Sequence, residues 1–304
     1  MNHLQARDKV LHFINQTRQS VFLTGKAGTG KTTLLNEITA TTHKNVVVVA
    51  PTGIAALNAK GVTIHSMFQL PFYSFIPTNQ LPEDVSPFLK VETQKTLVKH
   101  YKMNRNKRSV LTQMELLIID EVSMLRADLL DAIDYTLRVI RKNKKPFGGV
   151  QVLMVGDLMQ LPPVVKNEEW QILKTFYSSI YFFSAKVIQD HPPVYIELEH
   201  IYRQQDKLFI DLLNNLRNNK ITQEDQNTLK QYVNTNFDSK QHPGYITLTT
   251  HNASADDLNA SALSDLNGKS FSYKASIKGE FPEKMYPVED VLMLKKNAQV
   301  MFIK

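Results

Sequence analysis

Eight residues constrain this chain more than any others: GKAGTGKT, Gly25–Thr32, set between the apolar run SVFLTG and the helix-forming run KTTLLNEITATT. The spacing G-x-x-x-x-G-K-[ST] between a strand and a helix describes a loop that wraps an anion. Its glycines let backbone N–H groups turn inward. The helix that follows adds the positive end of its dipole. In such a loop Lys31 neutralises the β- and γ-phosphates of a nucleotide and Thr32 ligates magnesium. The predicted cradle is Gly25, Ala27, Gly28, Thr29, Gly30, Lys31, Thr32 and Thr33.

The surroundings fit a parallel sheet. NVVVVA, MELLIID and VQVLMVGD are apolar without alternation, as strands buried on both faces are. Helical runs join them, including PTGIAALNAK and LRADLLDAIDYTLRVIRKN, the second with Leu125, Leu129, Ile133, Leu137 and Ile140 on one face. Residues 69–111 break the rhythm with LPFYSFIPTNQLPEDVSPF and a basic stretch, and read as an insertion. After residue 195 a second set begins: a strand at 194–198, helices near 206–217 and 222–233, a strand at 245–250, a helix at 252–266 and a final strand in AQVMFIK. The expected division is therefore 1–195, with its insertion at about 69–111, and 196–304.

Two further strand ends carry polar residues. LLIIDE ends in Asp120 and Glu121. At the carboxyl end of a parallel strand, Asp120 suits a magnesium ion and Glu121 the proton of a water attacking the γ-phosphate. VQVLMVGDLMQLPPV leads to Gln160, which either reaches the γ-phosphate or is a turn glutamine with no ligand.

Composition sets outer limits. The net charge of +7 favours polyanions mildly, and the absence of cysteine excludes disulfides and thiolate metal sites and suits a reducing compartment. The N-terminal MNHLQARDKVLHFINQT reads as an amphipathic helix, not a secretion signal or transit peptide, and no run is apolar enough to span a membrane. The expected setting is soluble and cytoplasmic, at the nucleoid in a bacterium, or nuclear or mitochondrial in a eukaryote.

GKAGTGKTT, APTGIAA, GVTIHSMF, IIDEVSML, FGGVQVLMVGDLMQLPPV and LEHIYRQQDKLFIDLLNNLR occur in that order. Together they resemble the PIF (petite integration frequency) family of superfamily-1 DNA helicases, on the RecD-like branch, over about residues 20–217. The resemblance implies two RecA-like α/β lobes, the second only partly present before the chain stops at Lys304. It implies a monomeric ATP-dependent 5′–3′ helicase or translocase using ATP and Mg2+, with single-stranded, forked or G-quadruplex DNA as partner and roles in repair, recombination and telomere maintenance. Lys31, Glu121, Gln160 and Arg203 are the implied catalytic set, Arg203 as the finger of the second lobe. Pro51, Thr52, Gly53, His65 and Phe68 match the DNA-contact motifs. His65 reads equally as a structural histidine, and Phe68, in an apolar-periodic run, reads more often as core. Gln5 corresponds weakly to the family's adenine contact. Two other readings stay open: a nucleotide- and DNA-binding module without efficient turnover, and a RecA-like switch ATPase that never unwinds DNA.

Overall fold

The computed structural model describes residues 3–82, 89–101, 103–202, 206–238, 242, 245–277 and 288–300. The chain divides into two compact units, Met1–Ile221 and Thr222–Lys304.

The first unit is built on one parallel sheet. Its strands are β1 (Val21–Gly25), β2 (Val46–Ala50), β3 (Val62–Thr63), β6 (Leu116–Ile119), β7 (Gln151–Val155) and β8 (Val194–Leu198), in the spatial order β3-β2-β6-β7-β1-β8. A small parallel pair, β4 (Ser74–Phe75) and β5 (Val91–Glu92), belongs to the inserted segment. The unbroken apolar runs follow from burial on both faces. Successive side chains of a strand point to opposite faces. Accordingly Leu117 and Ile119 of β6, Val152 and Met154 of β7, and Phe22 of β1 join the core on one side. Leu116, Ile118, Leu153, Val155, Val21 and Leu23 join the core on the other. Each fully buried aliphatic side chain stabilises the unit by about 1.5–3 kcal/mol.

The helix Ala127–Arg141 covers the first of these faces through Leu130, Ile133, Leu137 and Ile140. The predicted stripe was displaced: Leu129 is only partly buried, and Leu125 lies before the helix, at the end of a short 3-10 turn. The second face is covered by the helices His3–Gln16 and Lys31–Thr41, through Ala6, Val10, Ile14, Leu34, Leu35 and Ile38. The inserted segment is tied down where β4 begins. Arg126 donates to Asp128 (2.7 and 2.9 Å), to Glu169 (2.9 Å) and to Ser74 Oγ (2.7 Å), and Phe75 N–H donates to Asp128 (3.0 Å).

The boundary differs from the expected one. β8 pairs with β1 along its whole length, from Val21 opposite Val194 to Gly25 opposite Leu198. It is an edge strand of the first unit's sheet, and the compact unit runs on through the helix Lys207–Arg217 to Ile221. Strand pairing to β1 is a tertiary fact that the alternation in VYIELEHI does not contain.

The second unit holds the helices Gln223–Gln231 and Asn252–Asp265 and an antiparallel pair, β9 (Ser270–Lys274) with β10 (Val291–Lys295). The strand predicted at 245–250 is not formed: Tyr245, Ile246 and Leu248 are exposed and pair with no strand among the described residues. Residues 298–300 of AQVMFIK are not in a strand either, and 301–304 lie outside the described residues. No helix among the described residues is long and apolar enough to cross a membrane.

Candidate nucleotide site and candidate DNA-contact residues

The sheet order places the chemistry. β6, β7 and β1 are consecutive neighbours, and all six strands are parallel, so their carboxyl ends share one edge. The connection from β1 runs towards β2 and that from β7 runs the other way to β8, so the crevice between β7 and β1 is a topological switch point, where open α/β sheets bind ligands. Three motifs far apart in sequence therefore meet: Gly25–Thr33 after β1, Asp120–Glu121 after β6, and Asp157–Gln160 after β7.

The loop's glycines are needed for their backbone. Gly25 has φ +150°, and a Cβ there would lie 2.5 Å from the Leu198 carbonyl of β8. Gly30 caps the helix Lys31–Thr41 at φ +88°, a left-handed conformation that costs glycine little. Thr29 is fully buried and its hydroxyl donates to Lys26 C=O (2.9 Å). Lys31 Nζ donates to the carbonyls of Gly25 (2.6 Å) and Lys26 (3.0 Å), so its ammonium is held inside the loop. Burial lowers the Lys31 pKa, while the charges of Asp157, Glu121 and Asp120 oppose the fall.

The loop lines a cavity of about 980 Å3 together with Glu121, Asp157 and Gln160. Its other wall comes from residues after β8: Tyr202, Phe209 and Leu213 among others, and Arg217. Tyr202 N–H donates to Gly28 C=O (2.8 Å), which fastens this wall to the loop. Gln5 is exposed on the first helix and is not among the residues lining the cavity.

The acids differ in environment. Burial raises the pKa of Asp120, against a hydrogen bond from Glu121 N–H (3.0 Å) and the charge of Lys31. Glu121 is raised by burial first and then by the charge of Asp120. Its backbone has φ +51°, a left-handed conformation that costs a non-glycine residue of order 1 kcal/mol or more. Asp157 is 1% exposed. Burial alone would raise it, but Arg217, Met159 N–H (3.1 Å) and Gln160 Nε2 (3.1 Å) all donate to its carboxylate and hold it below its ordinary value.

No cluster of three or more His, Cys, Asp or Glu among the described residues makes a self-sufficient metal site. Magnesium binds to one or two protein oxygens plus phosphates and water. Thr32, in the first turn of its helix, and the half-buried Asp120 carboxylate are hard oxygen donors that could hold such an ion.

The DNA-contact candidates lie farther along the same edge. Pro51, Thr52 and Gly53 follow β2, and His65 follows β3, its hydrogen-bonded neighbour. Thr52 caps its helix by accepting from Ala55 N–H (3.2 Å). His65 stacks on the exposed Phe72 of the insertion, ring centroids 4.2 Å apart and 5° from parallel. Burial, then the charge of Arg126, holds its pKa at about 4. Phe68 corrects the expectation of a DNA contact: it is fully buried in the core. In VTIHSMF the helical turn sends Ile64 and Phe68, four residues apart, to the same inner face. Arg203 lies outside the described residues. Asp157 as a hub and Arg217 as its partner were not foreseen, because 60 residues separate them and no local spacing links them.

The family model for PIF1-like helicases matches residues 4–227. The chain is 31% identical to the ATP-dependent DNA helicase PIF1 of Emericella nidulans, over 97% of this chain and 38% of that protein. It is 30% identical to the ATP-dependent DNA helicase RRM3 of Saccharomyces cerevisiae, over 100% of this chain and 41% of that protein. Among solved structures it is similar to the Bacteroides Pif1 helicase in complex with ADP-AlF3 and single-stranded DNA, at 39% identity and TM-score 0.81, covering 97% of this chain and 64% of that one. The chain thus spans about two fifths of the length of these two curated relatives.

Proposed function

The chain belongs to the PIF1-like helicase family, and on that premise we propose that it binds ATP with Mg2+ at the Gly25–Thr33 loop and hydrolyses it to drive 5′–3′ movement on single-stranded DNA. The observation that carries this reading is the meeting of three strand ends around one cavity, with the Lys31 ammonium inside it. Forked DNA is the proposed duplex substrate, since a Pif1 structure with forked DNA is among the similar ones. G-quadruplex unwinding, the monomeric state and a nuclear or mitochondrial setting in a eukaryote are finer parts of the same proposal.

The roles follow from the donors and acceptors present. Lys31 exchanges two neutral carbonyl acceptors for phosphate oxygens, and charge-assisted bonds of that kind are roughly twice as strong as neutral ones. Glu121, raised by burial, takes the proton of a water whose oxygen attacks the γ-phosphorus. The bond to the ADP oxygen breaks, and Lys31 stabilises the charge that develops there. Magnesium, when bound through Thr32 and Asp120, supplies Lewis-acid neutralisation of the phosphates. Arg203, the residue after Tyr202, is proposed as the arginine that stabilises the transition state. Thr52 and His65 are proposed to face the DNA backbone from the far part of the edge.

The test is phosphate release with and without single-stranded DNA, followed by strand displacement on a duplex with a 5′ tail. DNA-stimulated turnover that disappears in Lys31→Ala, and strand displacement dependent on ATP, are the expected results. ATP binding without turnover would favour the binding-module reading. Turnover without displacement would favour the switch reading.

A further inference from the structure

Asp157 ties two parts of the pocket together, and only one of them was expected. Its Oδ1 accepts from Met159 N–H (3.1 Å), and its main-chain carbonyl accepts from Gln160 N–H (2.9 Å), which closes a tight turn after β7. Its Oδ2 accepts from two side chains: Gln160 Nε2 (3.1 Å) and Arg217 Nη1, an ion pair. Arg217 is the last residue of the helix Lys207–Arg217, 60 residues away. Both Gln160 and Arg217 line the cavity that holds Lys31.

A carboxylate only accepts hydrogen bonds. Gln160 must therefore turn its amide nitrogen to Asp157. Its Oε1 and second N–H are left for the pocket. Without a fixed carboxylate, an otherwise exposed glutamine would spread over its rotamers, at a cost in side-chain entropy each time it is ordered. The Arg217 guanidinium removes that freedom by holding the shared oxygen from the other side. The Asp157 carboxylate is buried, so the pair is shielded from water and its geometry is stiff.

We propose that Arg217 is a positioning residue for ATP hydrolysis: through its ion pair with Asp157 it orients Gln160 at the phosphate end of the pocket and links the helix Lys207–Arg217 to the reaction. This rests on the nucleotide-pocket reading above. Arg217 acts through Gln160 rather than by gripping the phosphates itself. Its removal therefore lowers turnover and leaves ground-state nucleotide binding nearly intact. The same link lets any displacement of this helix reach the turn after β7.

The experiment is a double-mutant cycle on the full chain, read by DNA-stimulated ATP turnover and by fluorescence titration with ADP. Arg217→Ala should lose turnover by about tenfold to a hundredfold, the scale of a misplaced catalytic group. ADP affinity should stay within about threefold, since uniform binding is not what is lost. Arg217→Lys, which keeps a cation in reach of Asp157, should recover part of the loss. Gln160→Ala should lose a similar amount, and adding Arg217→Ala to it should cost less than about twofold more, because residues that act as one unit are not additive. Losses that multiply would overturn the proposal, as would ADP affinity falling in step with turnover. If Arg217→Ala melts below the assay temperature, Arg217→Gln replaces it in the same cycle. A parent protein that binds no ADP overturns the pocket reading, and this proposal with it. A parent that binds and hydrolyses, while Arg217→Ala runs at the parent rate, overturns this proposal alone.

Discussion

Residues up to Ile221 and residues from Thr222 onward are both rich in helix and strand, yet they bury very different amounts. In the first unit two apolar clusters fill both sides of the six-stranded sheet, and most of their members are less than 5% exposed. In the second, Asp225 is the one buried residue among those described. β9 and β10 form a two-stranded ribbon with Phe271, Tyr273, Val291 and Met293 each more than a third exposed. A two-stranded pair with no covered face is marginal in water, whereas a parallel sheet covered by helices on both faces is self-supporting. Regular secondary structure alone therefore does not make a rigid platform. Chemistry that needs side chains held to fractions of an ångström belongs where strand ends are anchored by a filled core, and the proposed nucleotide pocket lies there.

The largest test of that contrast concerns activity. Lys31→Ala should cut DNA-stimulated ATP turnover by about 10²–10³, the range for removing one preorganised charge-stabilising donor. Lys295→Ala in the second unit, whose ammonium caps the carbonyls of Ser264 and Leu266, should leave turnover within about twofold. Equal losses from the two lysines would break the comparison. A stability pair comes next. Leu153→Ala, at a fully buried position of β7, should destabilise the first unit by about 2–5 kcal/mol in urea unfolding. Met293→Ala, 41% exposed on β10, should change stability by less than about 1 kcal/mol in the same measurement.

Two glycines sharpen the contrast at the level of the backbone. Both have positive φ, but a Cβ on Gly25 meets the Leu198 carbonyl, while a Cβ on Gly268 meets nothing within 4 Å. Gly268→Ala should therefore cost only the conformational strain, of order 1 kcal/mol. Gly25→Ala should cost more than that and also weaken ADP binding, because the strand pair β1–β8 has to part to admit the methyl group. The last effect is a pH slope in the first unit. Unfolded His65 titrates near 6.5, and folded His65 near 4. As pH falls from 6.5 towards 4 the unfolded chain takes up a proton that the folded one refuses, so stability decreases, by up to about 1.4 kcal/mol per pH unit, and levels off below the folded value. The slope should be shallower in His65→Gln. An identical slope in the two proteins would show that the acid sensitivity comes from other groups.

The parts that were legible in the sequence are those with a local physical signature. The phosphate loop needed glycine at Gly25 and Gly30 and a lysine at Lys31, all within eight positions. β6 and β7 read as buried because their apolar residues do not alternate, and both of their faces proved to be covered. Asp120 and Glu121 were visible because they end such a run. Phe68 read more often as core but also matched a DNA-contact motif, and a five-residue helix is too short for its period to decide which side faces inward. The stretch at 245–250 has the composition of a strand, but β-structure forms only where a partner strand is available.

By itself, then, the order of residues determined that this protein has a glycine-rich loop with the spacing of a phosphate cradle, apolar strands and acids at their ends, because each of these is decided by neighbours within about ten positions. It left open which strands lie side by side and where the first unit stops. Only the packed sheet decided that β6, β7 and β1 are adjacent, that β8 closes the sheet beside the cradle, and that Arg217 reaches Asp157. Those are pairings between distant segments, selected by burial and hydrogen-bond satisfaction over the whole unit, and no short window of sequence carries them.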